Sequence, residues 1–234
     1  MIPMGFIIAL VAEECKAITA NQQSASRRPG SGRPTKEEAA RRHEQMLEMA
    51  IDSFLEAGFE NTRVIDIATS LGMSKRTVYA YYKDKDALFI AAVKRLIERY
   101  TVPLEALQAV ESDDVEETLC AVARIRIANV ATPTGIKLQR ILSAQSHRFP
   151  ELLQGAFMAS TEPTMTFLCD LFKRLAEQKR IRTLDPDKAA TAFLSLVVGG
   201  PARLIVMGGT MDEAEVESRV QFSVDLFLNG LLSR

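Results

Sequence analysis

At 234 residues the chain has room for one large domain or for a small domain joined to a larger one. Its 47% apolar and 25% charged residues are those of an ordinary globular protein and exclude disorder throughout. The net charge of -1 hides an uneven distribution, with 14 Lys and Arg against 11 Asp and Glu over residues 27–100, and 14 against 17 over 101–234. So small a basic surplus is weak support for an anionic partner, and motifs have to decide.

The first segment, Met4 to Ala12, is apolar but only nine residues long, against the ~20 that cross a bilayer, and no basic residue precedes it. It reads as a leader rather than an anchor or a signal peptide, so the expected setting is cytoplasmic with no membrane partner. Cys15, Cys120 and Cys169 are widely separated, and neither His43 nor His147 has a second ligand nearby in sequence. A reduced environment, no metal site and no cofactor are therefore expected.

Residues 27–36, RRPGSGRPTK, mix prolines, glycines and basic side chains, which suits an extended cationic arm including Arg33. Such an arm can follow phosphates or a minor groove, or can equally be a solvated tail. Thr35 then caps a helix with Glu37 and Glu38 in its first turn. Apolar residues recur from Met46 to Leu55, and the helix is expected to end near Gly58. Thr62 is read as the cap of a short second helix over Arg63 to Ser70, which Gly72 ends. Ser74 is read as the cap of a third, reaching Tyr81. A fourth is expected from about Asp86 to Tyr100, stopped by Pro103.

Beyond Pro103 the apolar runs have helical period and no strand is evident, so the expected class is all-α. Helices are predicted near 114–130, 135–146, 151–179, 186–207 and 213–232, with Pro163 as a kink or break in the third of these. Residues 1–34 are read as leader and basic arm, 35–84 as the first domain and 85–234 as the second.

The segment Val64 to Ala80, VIDIATSLGMSKRTVYA, has the composition of a helix-turn-helix. Ile67, Leu71, Met73 and Val78 suit a small core between two helices, Ala68 their close approach, and Gly72 the tight turn. That packing puts Lys75, Arg76, Thr77, Tyr79 and Ala80 toward the outside of the third helix. There Arg76 and Thr77 suit base edges in a major groove, while Lys75, Tyr79, Tyr81 and Lys85 suit phosphates.

The words GRPTK (32–36), FLEAGFENT (54–62) and DIATSLGMSKRTVYAYYKDKDALF (66–89) resemble the DNA-binding domain of the tetracycline-repressor (TetR) family. Arg63 stands where that family more often has threonine, and Tyr82 where phenylalanine is usual. The resemblance adds Ser74, Thr62 and Arg63 to the DNA-facing set, since they stand at the starts of the two helices. It implies a homodimer joined through the last two long helices, a double-stranded operator, and a small-molecule effector held between the middle helices of the second domain.

For that effector the candidate lining is Arg126, Arg140, Phe157, Met158, Met165 and Phe193, although apolar residues at helical spacing also serve as plain core. Arg126, Arg140 and His147 offer polar contacts, or else lie on wet faces or pair with carboxylates. The expected function is a sequence-specific transcriptional regulator, a repressor released from a pseudo-palindromic operator by its effector. An enzyme is disfavoured because G-x-S-x-G, P-loop, G-x-G-x-x-G and H-E-x-x-H patterns are missing. A protein-binding adaptor would have no use for a basic face on a helix-turn-helix.

Overall fold

The computed structural model describes residues 35–231, which form helices α1 (Lys36–Asn61), α2 (Val64–Ser70), α3 (Lys75–Tyr81), α4 (Lys85–Tyr100), α5 (Leu104–Gln108), α6 (Val115–Ala131), α7 (Pro133–Ala144), α8 (Pro150–Glu177), α9 (Pro186–Val197), α10 (Gly199–Val206) and α11 (Glu213–Leu231). No strand occurs among the described residues. The chain divides into two compact units. One, the head, takes in the described residues up to Arg99 together with Arg140–Ala156; the other, the body, takes in Tyr100–Gln139 and the described residues from Phe157 onward. The head thus extends past the 84/85 division read from the sequence and includes most of α4.

In the head, α1 opens with a capping box: the Glu38 amide donates to Thr35 Oγ1 at 3.2 Å, and the Thr35 amide donates to Glu38 Oε2 at 3.0 Å. Its inward side buries Met46, Leu47, Ala50, Ile51 and Phe54. Gly58 interrupts the helix with φ 76°, a value that glycine adopts without strain, and the chain bends there to send Phe59 inward. α4 buries Leu88, Phe89, Ala92, Val93, Leu96 and Ile97 at the predicted spacing.

Phe54 and Phe59 meet Phe89 with ring centroids 5.0 Å apart, and Phe149 closes the cluster at 5.2 Å from Phe89 and 5.5 Å from Phe59. Steep ring angles, 82° for Phe54 and 74° for Phe59, place ring edges against faces. Arg95 bonds Glu44 through Nε and Nη2, and Arg99 bonds Glu48, which ties α4 to α1. Partly exposed pairs of this kind add at most about 1 kcal/mol each, so apolar burial carries the head.

In the body, Asp114 caps α6 and Asp185 caps α9 through side-chain bonds to their first amides. All residues of α6 from Thr118 to Val130 are buried, which leaves it no solvent face. It packs against α9, α10 and α11. The core joins Leu107, Leu119, Val122, Leu168, Phe172, Ala190, Phe193, Val220 and Val224. Arg124 enters this packing as an ion pair, with Nε 2.7 Å and Nη2 2.6 Å from the two oxygens of Glu217 on α11.

Two details differ from the expected helices. Pro163 lies within α8, which continues through it as one element. The stretch predicted as a single helix over 186–207 is divided at Val198, which keeps a right-handed helical conformation at a widened φ of -102°, and the glycines after it start α10. The five-residue α5 is too short to leave a periodic signal.

Candidate nucleic-acid interface

α2 and α3 form a helix-turn-helix. Val64, Ile67, Ala68 and Val78 are its buried side chains, and Leu71 and Met73 are half-buried at the turn. Gly72 takes φ 61°, and on either side of it the Leu71 and Met73 amides both donate to the Ala68 carbonyl, at 3.2 and 2.8 Å. This turn fixes where α3 begins. Ser74 caps α3 by accepting the Thr77 amide at 3.1 Å, and the Ser74 and Thr77 hydroxyls lie 2.9 Å apart.

With Val78 turned inward at 1% exposure, helical geometry sends its neighbours out: Lys75, Arg76, Tyr79, Ala80 and Tyr81 are exposed and Thr77 is half-buried. Lys75 Nζ sits 5.5 Å from the centre of the Tyr79 ring, a cation–π contact within one turn. α3 holds no carboxylate, so its outer side presents positive charge, hydroxyls and aromatic rings together. These groups suit phosphate oxygens and base edges. Tyr81 also stacks toward His43 at 5.0 Å, and His43 hydrogen-bonds Tyr82, so α1 braces the end of α3.

The other residues expected at the interface differ in exposure. Thr62 is buried at 4%, and its hydroxyl donates to the carbonyls of Gly58 and Ser53 at 2.7 and 2.9 Å. It closes α1 rather than capping α2, because its hydroxyl is directed back to carbonyls of α1 and its own amide also donates to the Gly58 carbonyl. Arg63 stands at the N-cap position of α2, exposed, 3.8 Å from Asp66 and without a side-chain cap bond. Lys85 is turned into the head, donating to the Glu60 carbonyl at 3.1 Å with its ammonium 4.6 Å from the Phe59 ring centre. That bond uses one of the three ammonium donors. Arg33 lies outside the described residues.

The residues expected to meet an effector are also dispersed. Arg126 is buried in the body at 5% exposure, whereas Arg140 is exposed and belongs to the head. Phe193 is fully buried core against Phe227, Met165 packs on the core from its edge, and Met158 is 67% exposed. The Phe157 side chain lies outside what is described. Cys120 and Cys169 are buried, and burial pushes both thiols up to about 11. Reasoning from sequence missed His43, Arg148 and Phe149, whose partners lie some 40 to 90 positions away and leave no local pattern.

The chain matches two family models in the expected order: bacterial regulatory proteins of the tetR family over residues 46–92, and the C-terminal domain of AefR-like transcriptional repressors over 117–230. The chain belongs to the TetR family of transcriptional regulators. Among its TetR-family relatives, the HTH-type regulator YvaF of Bacillus subtilis is 29% identical over 136 residues, 57% of this chain and 66% of YvaF, so the chain spans just under two thirds of that relative's length. A TetR-family regulator from Mesorhizobium loti superposes with a TM-score of 0.71 at 25% identity, covering 86% of this chain and all of the other. The flavonoid-responsive regulator FrrA superposes with a TM-score of 0.65 at 28% identity, over 83% of this chain and 99% of its own.

Proposed function

We propose that this TetR-family chain is a cytoplasmic, homodimeric repressor that binds a pseudo-palindromic DNA operator through α3 and leaves it when a small-molecule effector occupies the body. The observation that carries the reading is the outer side of α3, where Lys75, Arg76 and Tyr79 stand exposed on a helix anchored by buried Val78 and by the Ser74 cap. Arg76 offers a planar fork for guanine O6 and N7, and Thr77 a hydroxyl or methyl for its neighbour; Lys75, Tyr79 and Tyr81 meet phosphates. The role is binding and not catalysis.

Support for repression comes from the AefR-like repressor model matched over 117–230, and support for a small-molecule effector from FrrA, a regulator named for its response to flavonoids. Support for a dimer comes from apolar side chains left exposed on the last helices: Leu196 at 39%, Phe222 at 69% and Leu226 at 51%. The run Pro186–Ile205 has a mean hydropathy of 1.2 yet is only 33% buried within one chain, as fits a surface covered by a second copy. Two heads held by one dimer reach successive half-sites about 34 to 36 Å apart or at multiples of that distance, so a modest change in their separation suffices for release. A coupling of about 1 to 3 kcal/mol changes operator affinity roughly 5- to 150-fold.

The test is selection of genomic fragments by the purified protein, followed by binding at several salt concentrations with an unrelated duplex as control. An enriched inverted repeat held far more tightly than the control supports the reading. Equal binding to both duplexes, or no enrichment at low salt, overturns it.

A further inference from the structure

Arg126 is the one residue of the body whose charge the described fold leaves without an ionic partner while burying it. It sits in the middle of α6, 5% exposed, with Val122, Ala123, Asn129 and Val130 one turn away on the same side and all buried. Its Nη1 donates to the Ser160 carbonyl of α8 at 3.2 Å, and its Nε–H has no acceptor. No carboxylate pairs with it among the described residues, in contrast to Arg124, two positions earlier, which Glu217 holds by two bonds. Desolvation accordingly pulls the Arg126 guanidinium below its ordinary value.

A second orphan lies close by along α8. Thr164 is fully buried, and its Oγ1 has no partner. It stands four residues after Ser160, whose carbonyl Arg126 grips, and so on the same side of α8 and one turn along. Phe167 and Leu168, the next residues on that side, are buried and apolar. An unpaired buried cation is among the most unfavourable features a core can carry, and it persists where something outside the apo fold compensates it. The one guanidinium charge, with the unpaired Nε–H and the Thr164 hydroxyl as donors, suits an acceptor with a single negative charge. A dianion such as a phosphate monoester would exchange one uncompensated buried charge for another.

We infer that Arg126 and Thr164 hold the carboxylate of an apolar monocarboxylic acid, whose hydrocarbon or aromatic part lies among the side chains of α6 and α8. The inference rests on the effector reading above and names the chemical class of that effector. Arg126 supplies charge and a directed N–H, Thr164 a second donor, and the apolar residues around them reject ligands with polar bodies.

The full-length protein is titrated calorimetrically with hexanoate, decanoate, phenylbutyrate and cinnamate, and with the primary amide of each. The expected result is that at least one acid binds and that its amide binds at least about tenfold more weakly, since the amide lacks the charge that pairs with Arg126. Arg126→Met, which fills similar space without charge, loses the acid by at least about tenfold, yet its ligand-free form melts no lower than the parent. Thr164→Val, nearly isosteric, weakens the acid by about three- to tenfold through loss of one hydrogen bond. The inference is overturned if no acid binds up to its solubility, if acid and amide bind alike, or if both variants retain parental affinity. Operator binding is measured separately on the same samples: an acid bound through Arg126 that leaves the operator complex intact retires the effector reading and leaves the acid site standing.

Discussion

The hydroxyl of Tyr82 lies 2.7 Å from Nε2 of His43, joining the residue after α3 to the middle of α1. Burial, aided by the nearby Glu44 carboxylate, raises the Tyr82 phenol above its ordinary 10.0, so it remains neutral at physiological pH and hydrogen-bonds as a phenol. The rings of the two residues also stack at 5.6 Å. Tyr82→Phe keeps the stacking and removes the bond, with an expected loss of about 0.5 to 1.5 kcal/mol in stability measured by urea denaturation. An unchanged midpoint and slope would show that the bond contributes nothing net.

On the outer side of α3, Arg76 and Lys75 are expected to fail differently. Arg76→Ala is expected to lose about 1 to 3 kcal/mol against one operator base pair and to tolerate substitutions there, while Lys75→Ala weakens operator and control duplex alike and lowers the salt slope by about one. Binding of both variants to a set of single-base operator variants checks this. A uniform loss for Arg76→Ala would move it from base reading to phosphate contact.

Gly135, at the start of α7, is buried where a Cβ has no room. A methyl there would overlap Tyr100 Oη and come within 2.7 Å of the carbonyl oxygens of Asn129 and Val130. The backbone atoms cannot swing aside as a side chain does. Gly135→Ala is therefore expected to destabilise the body by about 1 to 3 kcal/mol, despite the ordinary preference of helices for alanine, and thermal melting reads this directly.

The Arg124–Glu217 pair makes stability depend on acid. Two bonds from Arg124, with help from Gln221, hold the Glu217 carboxyl at about 2 against its ordinary 4.5. A folded-state value below the unfolded one means that the contribution is fully present above pH 4.5 and is lost as pH falls toward 2. Glu217 is 39% exposed, so screening keeps the effect near about 1 kcal/mol. Glu217→Gln should flatten this part of the stability curve between those pH values. A variant curve parallel to that of the parent would assign the acid sensitivity to other carboxylates.

Much of the head was readable in the sequence because its signals are local. The Thr35 capping box, the glycine at the turn, the Ser74 cap and the apolar spacing of α4 each occupy a few neighbouring residues. Thr62 misled for a related reason: a threonine before a helical run looks like a cap, and only the bend at Gly58 reveals that its hydroxyl serves carbonyls behind it. The contacts of Lys85 with an aromatic ring and a carbonyl of α1 span some 25 positions and left no local signal. In the body, the sequence left Arg126 open between an effector contact, a wet face and a carboxylate partner, and did not single out Arg124. Packing on every side buried both, and only the three-dimensional arrangement shows that one found a carboxylate and the other did not.

The ring of Phe59 is gripped by two cations, Lys85 at 4.6 Å and Arg148 at 4.7 Å, while Phe149 abuts it and Asp86 anchors Arg148 at 2.9 Å. Half of that grip is encoded about ninety residues downstream. A fragment cut after α4 would expose the Phe59 and Phe89 rings to water and invite self-association. Anyone grafting this reading head onto another regulator's sensor must carry residues 140–156 with it, because the modular seam in the folded protein does not coincide with any single cut in the gene.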